Sequence, residues 1–332
     1  MTMTPVTRHY ARRGEFDGSP AQGSGTEWYA GGTDVIPLSR TGVVHIETVI
    51  DLKVGDDAAA GGPGTTIEQV DGSWRIGALT TLADLAGHDG IADDHPAIGD
   101  AISQAATLQI RHRATVGGNL LQRPRCSYFR DPEVACWMKG GDSCPAEEGR
   151  NEHHALVDEP CIATQPSDLA SVLVALDARV AISGADGDQR EVGVADLLQR
   201  PSAERRSLHT LQAGELITSV SVPAATAGRR STYLKAMDRA VWQFALVGVA
   251  VVVDLDDDST VTAASLVASG LDSVPRPLVA AADSLVGSSL GDDSIAACAA
   301  LADDGLVARS ENGYKRILVS GLVRRALEAI AT

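Results

Sequence analysis

Four cysteines, Cys126, Cys136, Cys144 and Cys161, crowd into a span of 36 residues directly behind the glycine run Thr115-Val116-Gly117-Gly118-Asn119. Thiolates bind zinc and iron–sulfur clusters, and adjacent glycines let backbone N–H groups close on a phosphate. Their adjacency puts two prospective redox centres in one small region. The cysteine spacing, C-x9-C-x7-C-x16-C, matches neither the C-x2-C knuckles of common zinc modules nor a ferredoxin run. Three readings stand for the quartet: a [4Fe–4S] cluster, a zinc ion, or unligated thiols. A chain without an export signal meets a reducing cytosol, which disfavours disulfides and gives metal binding more weight. Irregular peptide such as Lys139-Gly140-Gly141-Asp142 suits a cluster, because it can wrap a bulky group and aim N–H donors at its sulfurs. His153 and His154 offer a substitute ligand, or else stand exposed or behind a set that four thiolates already complete. Cys298 lies apart in an Ala-rich helical segment and reads as a buried apolar residue.

A second glycine pair, in Ala30-Gly31-Gly32-Thr33-Asp34, follows the aromatic pair Trp28-Tyr29. Thr33 and Asp34 can add hydrogen bonds there or cap the next helix. Taken singly, a Gly-Gly pair serves any turn that needs positive φ. Neither run is G-x-G-x-x-G, and no G-K-[ST] tripeptide occurs, so Rossmann and Walker phosphate sites find no support. Two separate glycine clamps suggest a dinucleotide stretched between two lobes.

These residues need elements to hold them. With 332 residues the chain exceeds one average domain, and a hydrophobic share of 44% suits ordinary cores. No apolar run is long enough to span a membrane, and a net charge of −16 opposes binding to nucleic acid or to anionic membrane. The segment before Gly25 is polar, without the apolar core of a secretory signal, and Arg12-Arg13 reads as solvated surface. Trp28 to Leu38 reads as strand, glycine turn and helix start, with a further strand over Val43 to Leu52. Gly55 to Gly64 reads as a loop, Ile76 to Leu79 as a strand, and helices follow from Thr81 and over Ile98 to Leu108. Leu169, Val172, Leu173 and Leu176 repeat at helical spacing, with Ser167 or Asp168 placed as the cap; Val180 to Ser183 is a strand. Beyond 224–232, Tyr233 to Lys235, Phe244 to Leu255 and Val261 to Ala268 are β-rich. The chain ends in a helix with Val319, Val323, Leu327 and Ile330 on one face and Lys315, Arg316, Arg324 and Arg325 among its polar positions.

At this point a family resemblance emerges. The two glycine runs, with Tyr233-Leu234-Lys235-Ala236-Met237-Asp238-Arg239, closely resemble the FAD-binding medium subunit of molybdenum hydroxylases, the xanthine dehydrogenase family, nearly end to end. Arg125-Cys126-Ser127-Tyr128-Phe129-Arg130-Asp131 and the stretch from Cys161 through Gln165-Pro166-Ser167-Asp168-Leu169 resemble a subgroup whose flavin subunits hold an extra [4Fe–4S] cluster. Periplasmic aldehyde oxidoreductase and 4-hydroxybenzoyl-CoA reductase typify that subgroup. Ser127 stands where the subgroup often has proline, and the segment before Trp28 matches poorly.

The resemblance implies an α+β chain of the vanillyl-alcohol-oxidase (PCMH) type: two α/β subdomains around an extended FAD, at 1–53 and 54–223, with the iron–sulfur insertion at about 123–161. A C-terminal domain of sheet and helices follows at 230–332. By the same resemblance, Trp28, Tyr29, Ala30, Gly31, Gly32, Thr33, Asp34 and Val35 wrap the pyrophosphate, and Thr115, Gly118 and Asn119 clamp its other side. Asp168 binds a polar part of the flavin, and Ile217 and Lys235 line the cofactor; the plainer alternatives are a core aliphatic and a surface lysine. Lys235 within an apolar strand favours a site, since a buried ammonium needs an anionic partner. The four cysteines hold the cluster.

What the resemblance implies for function is electron transfer. A molybdenum-cofactor large subunit oxidises an aldehyde, N-heterocycle or similar compound, and a [2Fe–2S] small subunit passes electrons to FAD here and on to an external acceptor, in a heterotrimer or a dimer of heterotrimers. No H-E-x-x-H and no G-x-S-x-G occurs, so hydrolysis finds no support. A free-standing flavin oxidase of the same fold and a zinc-stapled interaction subunit are the alternatives. The expected compartment is the cytoplasm, or the periplasm if a signal-bearing partner carries the complex out.

Overall fold

The computed structural model describes residues 9–12, 20, 24–53 and 63–331. Most of the Gly55 to Gly64 loop, and most of the segment before Gly25, lie outside the described residues.

The first unit is a small parallel sheet of β1 (His9–Arg12), β2 (Thr26–Tyr29) and β3 (Thr48–Asp51), ordered β1-β3-β2, with α1 (Val35–Arg40) bridging β2 to β3. The strand expected over Val43 to Leu52 is shorter. The N–H groups of Val43 and Val44 donate to the Leu38 carbonyl at 3.0 and 3.3 Å, so those residues finish the helix before the strand can begin.

The second unit is a five-stranded antiparallel sheet: β4 (Ile67–Val70), β5 (Ser73–Gly77), β6 (Arg179–Ser183), β7 (Gln189–Gly193) and β8 (Leu216–Pro223), in the order β4-β5-β8-β6-β7. Between β5 and β6 run α2 (Leu82–Ala86), α3 (Asp89–Asp94), α4 (Pro96–Gln104), α5 (Leu108–Arg111), α6 (Val116–Leu120), α7 (Ser127–Arg130) and α8 (Asp168–Ala175); α9 (Val194–Leu197) follows β7. Polar caps start the key helices. Thr81 Oγ1 accepts from the Asp84 N–H, and Ser167 Oγ accepts from the Ala170 N–H at 3.0 Å. The helix expected over Ile98 to Leu108 is broken: α4 ends at Gln104, Ala106 takes φ of 47°, and Thr107 caps a new turn at α5.

The third unit is the antiparallel sheet β12-β11-β10-β9, from β9 (Arg229–Ala236), β10 (Val247–Leu255), β11 (Val261–Ser269) and β12 (Arg276–Pro277), with α10 (Val279–Asp283), α11 (Asp292–Ala300) and α12 (Tyr314–Ala331). The continuous apolar run of β10 has a simple cause: both of its faces are buried. Ala250 and Val252 join the core under α2, α4 and α8, while Val247, Val249, Val251 and Val253 join a second core with α11 and α12. The sheet thereby ties its own helices to the helices around the second glycine run. Cys298 is buried in that second core, as its surroundings suggested.

Lys315 corrects the reading of the last helix. It is not on the polar face but wholly buried, with its ammonium nitrogen 2.9 Å from the His154 carbonyl and 2.8 Å from that of Gly270.

Candidate functional site

A cleft of about 670 Å³ opens between the first and second units, a size suited to a small molecule or cofactor. Trp28, Ala30, Gly31, Gly32, Thr33, Asp34 and Val35 form one wall, and Thr115, Gly117, Gly118 and Ile217 another. A third wall, residues 204–216, includes Arg205, Arg206 and His209.

The two glycine runs are not equivalent. Among the described residues, no acceptor receives the N–H groups of Gly31, Gly32, Thr33, Asp34 or Val35, so this turn presents consecutive free donors to the cleft. In the second run the amides are already used. Val116 and Gly117 donate to the carbonyls of Thr80 and Ala78, both at 2.9 Å, while Gly118 donates to Thr115 Oγ1 and Asn119 to the Thr115 carbonyl. The second run therefore contributes close approach and shape, and the first contributes the charge-seeking donors.

Packing as well as conformation demands glycine in the first turn. A Cβ on Gly31 would collide with the Arg113 carbonyl, just ahead of the second run, and Gly32 sits at φ of 72° with a Cβ position 2.6 Å from the Tyr29 ring. Tyr29 lies beneath the turn rather than on the cleft wall, with Lys53 Nζ 4.8 Å from its ring centroid. Asp34 occupies the position before α1 but does not cap it. Its carboxylate instead accepts from the Arg123 N–H at 2.9 Å and from Arg130 at 2.7 Å, with Arg125 at 3.1 Å. The first turn is thus pinned to the segment that carries the cysteines.

Three further residues singled out in the sequence stand behind the cleft wall. Asn119 Oδ1 accepts from Ser167 Oγ at 2.5 Å, joining the second run to the cap of α8. Asp168 and Lys235 form a buried ion pair at 2.7 Å, 4% and 1% exposed at their side chains. Tyr233 OH donates to the other Asp168 oxygen at 2.6 Å and meets Ser269 Oγ at 2.8 Å, and Lys235 also donates to the Gln104 carbonyl. Burial pushes the Asp168 carboxyl upward, opposed by Lys235 and by the Tyr233 bond. The anionic partner that a buried lysine requires is therefore Asp168, and the network locks α8 and α4 to β9 and β11.

The cysteines meet in the inserted segment between α6 and α8. Cys126 precedes α7, Cys136 opens a 3-10 turn at Trp137–Lys139, and Cys161 lies in the extended run before Ser167. Burial pushes the Cys161 thiol up to about 12; Cys144, Cys126 and Cys136 add to that rise, so all four sulfurs share one neighbourhood. Burial likewise takes Cys126 up to about 11 and raises Cys136. Against this, nearby backbone amides hold the proton affinity down: Phe129 and Tyr128 at Cys126, Met138 and Lys139 at Cys136, and Ala163 at Cys161. Among the described residues no three His, Cys, Asp or Glu side chains converge on one ion. The two histidines part company: His153 is exposed, whereas His154 is buried with Nε2 3.2 Å from Cys126 Sγ.

Phe129 and Met138 touch both regions. Each lines the cleft and packs with the Cys136 and Cys126 cluster. Arg206 makes a second bridge, donating to the Trp137 carbonyl at 2.7 Å and that of Gly141 at 3.0 Å, with its guanidinium 4.6 Å from the Trp137 ring centroid. His209 faces the cleft as a neutral imidazole, its pKa lowered to about 4 by burial and then by Arg205 and Arg123, and its Nδ1 is buried without a partner. Sequence reasoning passed over Arg123, Met138, Arg205, Arg206 and His209, and gave Phe129 no role beyond its place in the Arg125–Asp131 motif. Arg123 stands beside Pro124, and no local motif marks Met138, Arg205, Arg206 or His209.

An anionic, elongated cofactor fits this cleft: free amides at one wall, glycines at the facing one, arginines around both. Comparison with known proteins agrees. The family described as the FAD binding domain in molybdopterin dehydrogenase matches residues 20–225, and the CO dehydrogenase flavoprotein C-terminal domain matches 232–330. The aldehyde oxidoreductase FAD-binding subunit PaoB of Escherichia coli is 37% identical over 242 residues, covering 71% of this chain and 73% of that protein. The carbon monoxide dehydrogenase medium chain of Afipia carboxidovorans is 25% identical over 305 residues, 90% of this chain and 86% of the relative. In fold, the chain superposes on a crystal structure of a Cu,Mo-CO dehydrogenase in its cyanide-inactivated form with a TM-score of 0.74, at 22% identity over 99% of both chains. With the glycine-lined cleft in a PCMH-type fold and a CO dehydrogenase flavoprotein C-terminal domain behind it, this chain belongs to the FAD-binding medium subunits of the molybdenum hydroxylase family.

Proposed function

We propose that the chain is the electron-transfer subunit of a molybdenum-containing aldehyde oxidoreductase, carrying electrons from [2Fe–2S] clusters of a small subunit to an external acceptor, and that its cysteine quartet holds an additional [4Fe–4S] cluster. The observation that carries the first part is the row of amides from Gly31 to Val35, without an acceptor among the described residues, in the wall of the cleft that the second glycine run also lines. In this reading those amides hold the FAD pyrophosphate, and Thr115, Gly117 and Gly118 close on its other side. Ile217 packs against the cofactor, and Asp168 and Lys235 keep α8 and β9 in place behind it. When bound, FAD supplies the exchange between one-electron centres and a two-electron acceptor. The protein's own residues bind and orient it and exclude water.

The quartet's donor chemistry supports the cluster. Nearby backbone amides, which lower the proton affinity of Cys126, Cys136 and Cys161, favour thiolates in a buried site. A zinc ion gathers its thiolates on one centre, whereas a cube spreads four thiolates over separate irons, so metal analysis separates the two. Buried thiols of high proton affinity resist ionisation alone, so loss of their protons accompanies metal binding. We place the subdomain limits at 1–53, 54–223 and 230–332, the partners as a molybdenum-cofactor large subunit and an iron–sulfur small subunit, and the compartment as the cytoplasm unless a signal-bearing partner exports the complex. Co-purification from the native source tests the assignment: a stoichiometric molybdenum subunit and small iron–sulfur subunit, with flavin bleached anaerobically by an aldehyde, is expected. A flavoprotein isolated alone that turns over a substrate unaided would replace this reading with that of a free-standing oxidase.

A further inference from the structure

The environment of His154 is unusually expensive. Its imidazole is buried with Nε2 3.2 Å from Cys126 Sγ, and its Nδ1 has no partner. Its backbone is gripped from several sides. The His154 N–H donates to the Asn151 carbonyl, and its carbonyl accepts from Lys315 Nζ at 2.9 Å and from Asn312 at 3.4 Å. Asn312 also donates to Ala155, and Asn151 is held by Ser310 and Glu311 just ahead of α12. The chain thus commits a fully buried lysine and two buried asparagines to the placement of one histidine. Burying such groups costs free energy unless each is hydrogen-bonded, and here the bonds converge on the peptide that aims the ring at a sulfur.

We infer that His154 is a positioning residue that donates an Nε2–H hydrogen bond to the Cys126 thiolate and thereby raises the reduction potential of the iron–sulfur cluster; this rests on the cluster reading above. The direction of the bond follows from chemistry. A metal-bound thiolate has no proton to give, so the hydrogen at this contact belongs to the imidazole. Nδ1 is then left as a lone pair, a cheaper orphan than an N–H. The imidazole brings a side-chain donor to this sulfur at 3.2 Å. Donors to ligand sulfurs withdraw charge and favour the reduced cluster.

The test is carried out on the anaerobically purified complex. In EPR-monitored redox titration, His154→Phe should shift the [4Fe–4S] midpoint to lower potential while iron, FAD content and flavin midpoint stay unchanged, and His154→Gln, which keeps an N–H donor, should recover part of the shift. An unchanged cluster midpoint in the Phe variant overturns the inference. Pulsed EPR of the reduced wild-type complex gives an answer independent of whether the variants assemble: weak nitrogen coupling from histidine supports the hydrogen bond. Strong coupling of a direct ligand, or no histidine coupling, overturns it. Wild-type protein lacking the cluster's iron and sulfide would overturn the cluster reading itself, a result separate from either.

Discussion

At the scale of single residues, the chain distinguishes glycines that shape a site from polar groups that hold it together. Gly32 takes a left-handed conformation over the Tyr29 ring, so alanine there faces both strain of roughly 1–2 kcal/mol and a collision. We expect Gly32→Ala to lower FAD content several-fold while leaving iron content intact, measured by flavin release and iron assay on the same preparation. Lys235 is the opposite case. Replacing it with methionine leaves the Asp168 carboxylate buried opposite an apolar side chain, and about 3–5 kcal/mol of stability should be lost, read as a lowered denaturant midpoint. An unchanged midpoint would mean that the pair is dispensable. That Lys235 needs a counter-charge was legible from an ammonium in an apolar strand. That the counter-charge is Asp168, 67 residues earlier, is a tertiary fact no local pattern carries.

At the scale of elements, caps and alternation were readable and breaks without punctuation were not. Ser167 at the start of α8 and the apolar spacing that follows it gave that helix directly. The split between α4 and α5 falls at Ala105 and Ala106, where neither glycine nor proline announces it. Lys315 was misjudged because its charge outweighed its spacing: it stands four residues before Val319 and eight before Val323, on the buried stripe of α12. Burial lowers its pKa to about 7, with Asp238 opposing. For a base whose proton affinity falls on folding, the penalty is absent above 10.5, grows as the pH drops toward about 7 and is constant below. Wild-type protein should therefore gain stability relative to Lys315→Met as the pH rises from about 7 toward 10.5, followed by thermal unfolding. A difference that does not vary with pH would contradict a charge-shifted buried amine.

At the scale of the whole molecule, the cleft and the cysteines form one connected system. Asp34 ties the first glycine turn to Arg123, Arg125 and Arg130 of the inserted segment, Arg206 ties the third cleft wall to Trp137, and Phe129 and Met138 pack between. From the far side, Lys315 of α12 and Asn312 just ahead of that helix hold the end of the insertion. The motifs made the glycine clamps and the cysteine quartet legible separately. Their mechanical coupling was not, because it runs through arginines whose partners lie up to 96 residues away in sequence. The most direct test compares anaerobically purified wild-type complex with a Cys136→Ser complex for FAD, iron and acid-labile sulfide, with Mössbauer spectra to separate cluster types. The expected result is loss of roughly four irons and their sulfides per chain, together with the [4Fe–4S] signature, while FAD is largely retained. Equal iron in both, or stoichiometric zinc in the wild type, would contradict a cluster held beside the flavin cleft.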